Sequence, residues 1–372
     1  MRSVPRLRSG SGLTRAVGAA AGTTLALALL VCGCVFAAMA GPALGLHARS
    51  QALHQTTAKL APTVRTVQVS ASWTNFVDSL LSGAQNVPVS DLNLTASQLA
   101  RATQEIKGSL AGLPLPLGPG DWYGLSANQA EVSSGAAPAA VLEGVQPKLE
   151  VLYRNSLTSN AALVAGSYAA GPEPAGTLAV AVTAQTAARF GLRPGSRLAL
   201  VSPTGAITLV VTGIVRQQAA GSTFWVQDPL ASQPSLVTPG TAKPYWAGGV
   251  FADPGQLGAM QTTFRNPGLE MNWEFPLSLA SLNADQAQGL AGALNRATTV
   301  TLGLTGPLAP AADNLNVTSP LIGDLALFRG TQAGIETVLL LLSVSLIVIA
   351  AAVILLAARM LVARRQGELA IL

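Results

Sequence analysis

Two long stretches with no charged or histidine side chain, residues 16–46 and 337–358, bracket this 372-residue chain. An α-helix rises ~1.5 Å per residue, so roughly 20 apolar residues cover the ~30 Å hydrocarbon core of a bilayer. Both stretches reach that length. A chain held in lipid at both places must keep everything between them on one side of the membrane.

The charges say which side. Arg2, Arg6, Arg8 and Arg15 precede the first stretch, and Arg359, Arg364 and Arg365 follow the second, with Glu368 the one acid beyond it. Residues 47–333 carry fifteen basic and fifteen acidic side chains, so once Glu336 at the mouth of the second stretch is counted, the whole formal excess of +5 belongs to the flanks. That asymmetry is the positive-inside pattern. It predicts a plasma-membrane protein with both termini cytoplasmic and residues 46–335 extracytoplasmic. It also removes the reading of the basic excess as a nucleic-acid footprint, so no nucleic-acid partner is expected.

Ala38-Met39-Ala40 after an Arg-rich start imitates a secretory cleavage site, and Cys34 imitates a lipoprotein one. Signal sequences have apolar cores of about 7–15 residues, whereas the run here exceeds 20 before the cut, so an uncleaved anchor is expected. Cys32 and Cys34 are the only cysteines, and both fall inside this first stretch. The translocated region therefore has neither a disulfide framework nor a thiol nucleophile.

Between the spans the pattern is mixed. Residues 46–62 read as a polar outer stalk closed by Pro62. Val64 to Trp73 suggests a strand, and Thr95 with Gln98 has capping-box spacing ahead of the helical apolar positions Leu99, Ile106 and Leu110. Pro114, Pro116 and Pro119 make residues 112–120 a stiff connector. A second capped helix is expected from about Asn283, with Leu290, Ala293 and Leu294 on one face. The segments Leu92 to Leu110 and Leu282 to Arg296 resemble each other loosely, as a duplicated β-α unit would.

The clearest local code runs from Leu178 to Arg216. Leu178 to Thr183 fits a strand and Ala184 to Phe190 a short helix. Gly191 stands where a left-handed cap is wanted, because it has no Cβ to clash. Pro194-Gly195 suits a type II turn, and Leu198 to Val201 and Ile207 to Val215 read as strands joined at Ser202-Pro203-Thr204-Gly205. Trp225, Tyr245, Trp246, Phe251 and Trp273 are expected to fill the core of an α/β lobe. Ser319 and Pro320 suit the N-cap and first turn of one long helix over 320–363, half of it a stalk outside the membrane.

The fold class expected is α+β: two transmembrane helices flanking an extracytoplasmic α/β lobe with a β-rich insert. The expected boundaries are a cytoplasmic tail 1–15, span 16–45, stalk 46–62, the lobe 63–135 with 245–318, the insert 136–244, stalk 319–335, span 336–358 and a cytoplasmic segment 359–372.

No catalytic constellation is legible. Leu81-Ser82-Gly83-Ala84-Gln85 imitates the signature loop of an ABC ATPase, but no G-x-x-x-x-G-K-[ST] loop accompanies it. His47 and His54 share a stalk face without cysteines or carboxylates beside them, a poor metal set. No G-x-S-x-G elbow occurs. No enzyme activity, cofactor or metal site is expected.

The segment closing the second span, Ala363-Arg364-Arg365-Gln366-Gly367-Glu368-Leu369-Ala370-Ile371-Leu372, resembles the cytoplasmic motif of FtsX-like permeases, the MacB-type (type VII) ABC transporter family. The run Ala181 to Ser196, with the strand ending in Val211-Thr212-Gly213-Ile214-Val215, is similar to that family's strand, helix and glycine turn, with Ser196 in place of the usual Asp. The resemblance implies a porter-like outer lobe with a β-rich insert, an ATP-binding ABC subunit as partner, and a dimer mate or second permease half. It implies mechanotransmission, in which ATP-driven closure of the partner moves the outer domain, and places Arg364, Arg365 and Glu368 at the coupling surface. Such permeases have at least two further spans, so the chain is expected to be the N-terminal portion of one. The alternative is a two-span sensor whose outer domain binds a ligand and signals through the second helix.

Overall fold

The computed structural model describes residues 32, 47, 49–75, 78, 93–133, 145–169, 173–202, 205–240, 242–264 and 268–369. The expected tail 1–15, the span 16–45 apart from Cys32, and Leu81 to Gln85 lie outside the described residues.

In chain order the strands are β1 (Thr66–Ser72), β2 (Trp122–Ala127), β3 (Ala130–Val132), β4 (Pro147–Arg154), β5 (Ala161–Gly166), β6 (Thr177–Thr183), β7 (Arg197–Ser202), β8 (Gly205–Gln217), β9 (Ser235–Val237), β10 (Tyr245–Ala252), β11 (Leu269–Pro276) and β12 (Asn316–Thr318). The longer helices are α1 (Ala96–Ala111), α2 (Ala184–Phe190), α3 (Leu257–Phe264), α4 (Ala284–Ala297) and α5 (Leu321–Leu369). The chain divides into two units. One is Thr56–Ser281 with Gln286–Leu325, and the other takes Met1–Gln55, Leu282–Asp285 and Ala326–Leu372.

The first unit begins as two β-α-β passes. β1-α1-β2 and β11-α4-β12 interleave in the antiparallel order β12-β1-β11-β2, the ferredoxin-like arrangement of a split βαβ repeat. The loose likeness of the α1 and α4 segments thus coincides with equivalent places in a repeated unit. Strand alternation assigns the two faces. Val67, Val69 and Ala71, and across from them Met271, Trp273 and Phe275, are buried. Helix α1 buries Leu99, Ala102, Ile106 and Leu110, and α4 buries Leu290, Ala293 and Leu294. The Tyr123 hydroxyl donates to the Ala96 carbonyl at 3.1 Å, fixing the start of α1 over this face of β2. The opposite face carries Gln68, Ser70, Glu270, Asn272, Glu274, Gly124 and Ser126.

Local capping explains where these helices begin and end. Thr95 and Gln98 form the capping box: the Gln98 amide donates to Thr95 Oγ1 at 3.3 Å, and the Thr95 amide to Gln98 Oε1 at 2.7 Å. Helix α2 ends at Gly191 with φ 64°, a left-handed cap. Gly195, at φ 89°, has the conformation required of the third residue of a type II turn.

Between β2 and β11 the chain builds a closed ring of strands in the order β4-β3-β7-β8-β6-β10, with β10 pairing back to β4 in parallel. Closure leaves no free edge within the ring. Leu178, Val180, Leu198, Leu200, Leu209 and Val211 are all at most 1% exposed in its wall. The hairpin of β7 and β8 closes with Ser202 opposite Gly205, as the sequence predicts. Strand β4 serves both assemblies: its last residues pair with β2 and its first with β3.

Three of the five aromatic residues expected in the core are there, since Trp225, Phe251 and Trp273 are at most 1% exposed. Tyr245 and Trp246 are half-buried. They present their faces to cations, with Lys148 Nζ 4.6 Å and the Arg189 guanidinium 3.9 Å from the respective ring centroids.

Helix α5 runs 49 residues and contains the uncharged stretch 337–358. The Ser319 hydroxyl, two residues before this helix begins, donates to the Thr66 carbonyl at 2.8 Å. Among the residues described with their side chains, no helical run is long and apolar enough to cross a membrane.

Candidate functional site

The chemistry of the first unit concentrates where β4 passes from the open sheet into the ring. Arg154, the last residue of β4, lies on the polar face of the sheet opposite Gly124 and is 3% exposed. A Cβ on Gly124 would stand 2.3 Å from the Tyr153 carbonyl oxygen and 3.2 Å from Arg154 Cγ. The missing side chain is what lets Arg154 cross strand β2.

The guanidinium lies 4.3 Å from the Trp122 ring centroid, 5.1 Å from that of Phe224 and 5.7 Å from that of Phe251. Such contacts contribute about 2 kcal/mol when desolvated. It donates to the Phe224 carbonyl and to the Asp228 carboxylate, both on the short helical turns that follow β8. Burial lowers the Arg154 pKa, and Asp228, Glu274 and Glu150 oppose that shift. Those turns are themselves fixed. Trp225 Nε1 donates to the carbonyls of Asn160 and Gln218, each at 3.0 Å, and the Ser232 hydroxyl donates to the Trp225 carbonyl at 2.7 Å. An apolar cluster of Trp122, Leu152, Phe224, Trp225 and Phe251 backs the charge.

Around Arg154 is an excess of carboxylates. Glu274 on β11 is 3% exposed, and burial pushes its pKa up to about 8 against the pull of a Thr66 hydrogen bond and of Arg154. Burial, then Asp228, raises Glu150 on β4 to about 7, while Arg154 pulls it down. These residues, with Glu270, Asp228 and Gln227, line a cavity of about 280 Å³. Neutral polar groups complete it, among them Asn272, whose amide donates to Ser126 Oγ at 3.1 Å. A larger cavity of about 680 Å³ also borders Trp122. It is lined mainly by serines, prolines and glycines, and its charged residues are Arg65 and Asp121, the latter paired with Lys107 at 2.7 Å.

The residues expected at a coupling surface lie elsewhere. Arg364, Arg365 and Glu368 fall in the last turns of α5, and their side chains are outside the described residues. None of the residues around Arg154 stands out in the sequence as a site. The available signal was the alternation Leu269-Glu270-Met271-Asn272-Trp273-Glu274-Phe275, which marks a half-buried strand without saying what covers its polar face.

Fold and site together define a mixed α/β protein: a split βαβ lobe carrying a closed β-ring insert, with a carboxylate-rich cavity on the strand they share. No family model and no curated protein matches the chain. Among solved structures it is similar to a domain assigned to a permease protein from Porphyromonas gingivalis, with 11% identity over 70% of this chain and 93% of that one and a TM-score of 0.26. It is similar also to the periplasmic region of MacB from Actinobacillus actinomycetemcomitans, with 8% identity over 74% of this chain and 94% of that one and a TM-score of 0.27. Identity and TM-score this low assign no activity.

Proposed function

We propose that this chain is a non-enzymatic, membrane-spanning subunit of an FtsX/MacB-like ABC permease, with its α/β lobe and β-ring outside the cytoplasm. The observation that carries the reading is the passage from β12 into α5, a 49-residue helix that includes 337–358 without a charge and then meets Arg359, Arg364 and Arg365. The uncharged part alone extends about 33 Å at 1.5 Å per residue, enough for a bilayer core. The basic flanks of both uncharged stretches support a cytoplasmic location for the termini.

In this reading α5 serves as both anchor and lever. A continuous hydrogen-bonded helix transmits displacement along its axis, so a push on its cytoplasmic end reaches the strand that precedes it. β12 is paired to β1 through Val317 and Val69, at the edge of the open sheet. The coupling partner is an ATP-binding subunit, which would engage Arg364, Arg365 and Glu368, and the assembly is completed by a second permease half or a dimer mate. The test is co-purification of the ATPase with the intact permease carrying Arg365→Ala and Glu368→Ala. At least a fivefold loss of recruited ATPase is expected at unchanged permease abundance, and undiminished recruitment would remove the coupling role.

A further inference from the structure

The cavity beside Arg154 has more hydrogen-bond acceptors than the fold uses. Glu274 is almost wholly buried, yet its Oε2 has no hydrogen-bond partner among the described residues, and the same holds for Gln227 Oε1. Both residues line the cavity. A buried acceptor left unpaired is unfavourable, and more so when charged. Arg154, the one cation in the cavity wall among the described residues, is already committed to the Phe224 carbonyl and Asp228. Four carboxylates, Glu150, Asp228, Glu270 and Glu274, thus line the cavity, Glu270 at its exposed side, beside one guanidinium whose donors are partly spent. Of the wall's unpartnered atoms only Trp122 Nε1 is a donor, and Trp122 also borders the larger cavity.

Metal chemistry does not suit the arrangement, because among the described residues no three His, Cys, Asp or Glu side chains approach closely enough to hold an ion. Spread-out acceptors match instead a ligand that brings several N–H donors on one positive charge. A volume of about 280 Å³ admits a group of roughly the bulk of nine waters at ~30 Å³ each. We propose that this cavity is a binding site for a small organic cation bearing N–H donors, an alkylammonium or alkylguanidinium group, held by Glu274 and Glu270 with Gln227 as a neutral acceptor. Charge-assisted hydrogen bonds of this kind are about twice as strong as neutral ones. The site stands on the geometry of the folded unit and is independent of the membrane reading.

The experiment is isothermal titration of the full chain in zwitterionic nanodiscs at pH 8.5, using n-butylguanidinium and n-butylammonium as probes. Tetramethylammonium, a cation without N–H, and n-butanol serve as controls. Saturable binding of at least one N–H cation is expected, at least tenfold tighter than either control. Glu274→Gln should weaken it at least tenfold and Glu270→Gln several-fold, while Glu131→Gln, on the exposed side of β3, leaves it unchanged. Affinity should also fall as pH is lowered from 8.5 to 6.5, because Glu274 takes up a proton among Arg154, Asp228, Glu150 and Glu270. Absence of saturable binding up to roughly 10 mM, equal binding of tetramethylammonium, or an unaltered Glu274→Gln protein would each overturn the assignment.

Discussion

Glu274 holds a carboxyl group where ionisation is costly, and the consequence for stability can be worked through. Its pKa is about 8 in the folded protein against 4.5 for the free side chain. Between those values the folded state keeps a proton that the unfolded chain has released. Stability then falls as pH rises, by about 1.4 kcal/mol per pH unit. The contribution is fully present below 4.5 and gone above about 8, so its upper bound is on the order of 5 kcal/mol. Glu150, raised to about 7, acts with the same sign. The two carboxyls share Arg154 and titrate together, so their effects do not add. The assay is urea unfolding of the full chain in detergent micelles followed by tryptophan fluorescence between pH 5 and 9. All five tryptophans belong to the unit that holds the site, so the signal reports its unfolding. Glu274→Gln should match the parent within about 1 kcal/mol near pH 5, where both side chains are neutral. It should exceed the parent by about 2–5 kcal/mol at pH 8.5, because the variant has no charge to bury. A parent whose stability is flat or rises across this range, or a variant whose pH profile runs parallel to the parent's, would refute the reasoning.

Two further outcomes follow from the same structure. Gly124→Ala forces a methyl against the Tyr153 carbonyl and Arg154; it should destabilise the protein by about 1–3 kcal/mol, read as a lowered urea midpoint at unchanged slope. Thr95→Ala removes one half of the capping box and should lower stability by about 1 kcal/mol, with faster hydrogen exchange at the Gln98 and Leu99 amides.

Legibility in the sequence followed the range of the interaction that makes each feature. The capping box at Thr95, the span of α2, the left-handed Gly191 and the hairpin of β7 and β8 depend on residues a few positions apart, and all could be read directly. The ring could not. Its closure needs β10 to lie parallel to β4, pairing Trp246 with Pro147, and no local pattern encodes a contact across that distance. The ferredoxin-like order was half visible as a resemblance between the α1 and α4 segments. The interleaving of β11 between β1 and β2 was not visible. Tyr245 and Trp246 look like core residues by composition alone, but in the fold they are half-buried and lie against Lys148 and Arg189, partners that the local sequence does not announce. The cavity was hidden for a related reason. Glu150, Arg154, Asp228 and Glu274 are separated by up to 124 positions, and each alone reads as an ordinary strand or turn residue.

Everything proposed about transport requires the α/β lobe to lie outside the cytoplasm, and one measurement addresses that directly. Arg193, exposed at the turn after α2, can be changed to cysteine in a chain whose Cys32 and Cys34 are replaced by serine, and probed in intact cells with a membrane-impermeant maleimide. Labelling of whole cells at the level reached after lysis is the predicted result. Labelling only after the membrane is broken would put the lobe in the cytoplasm and contradict the account.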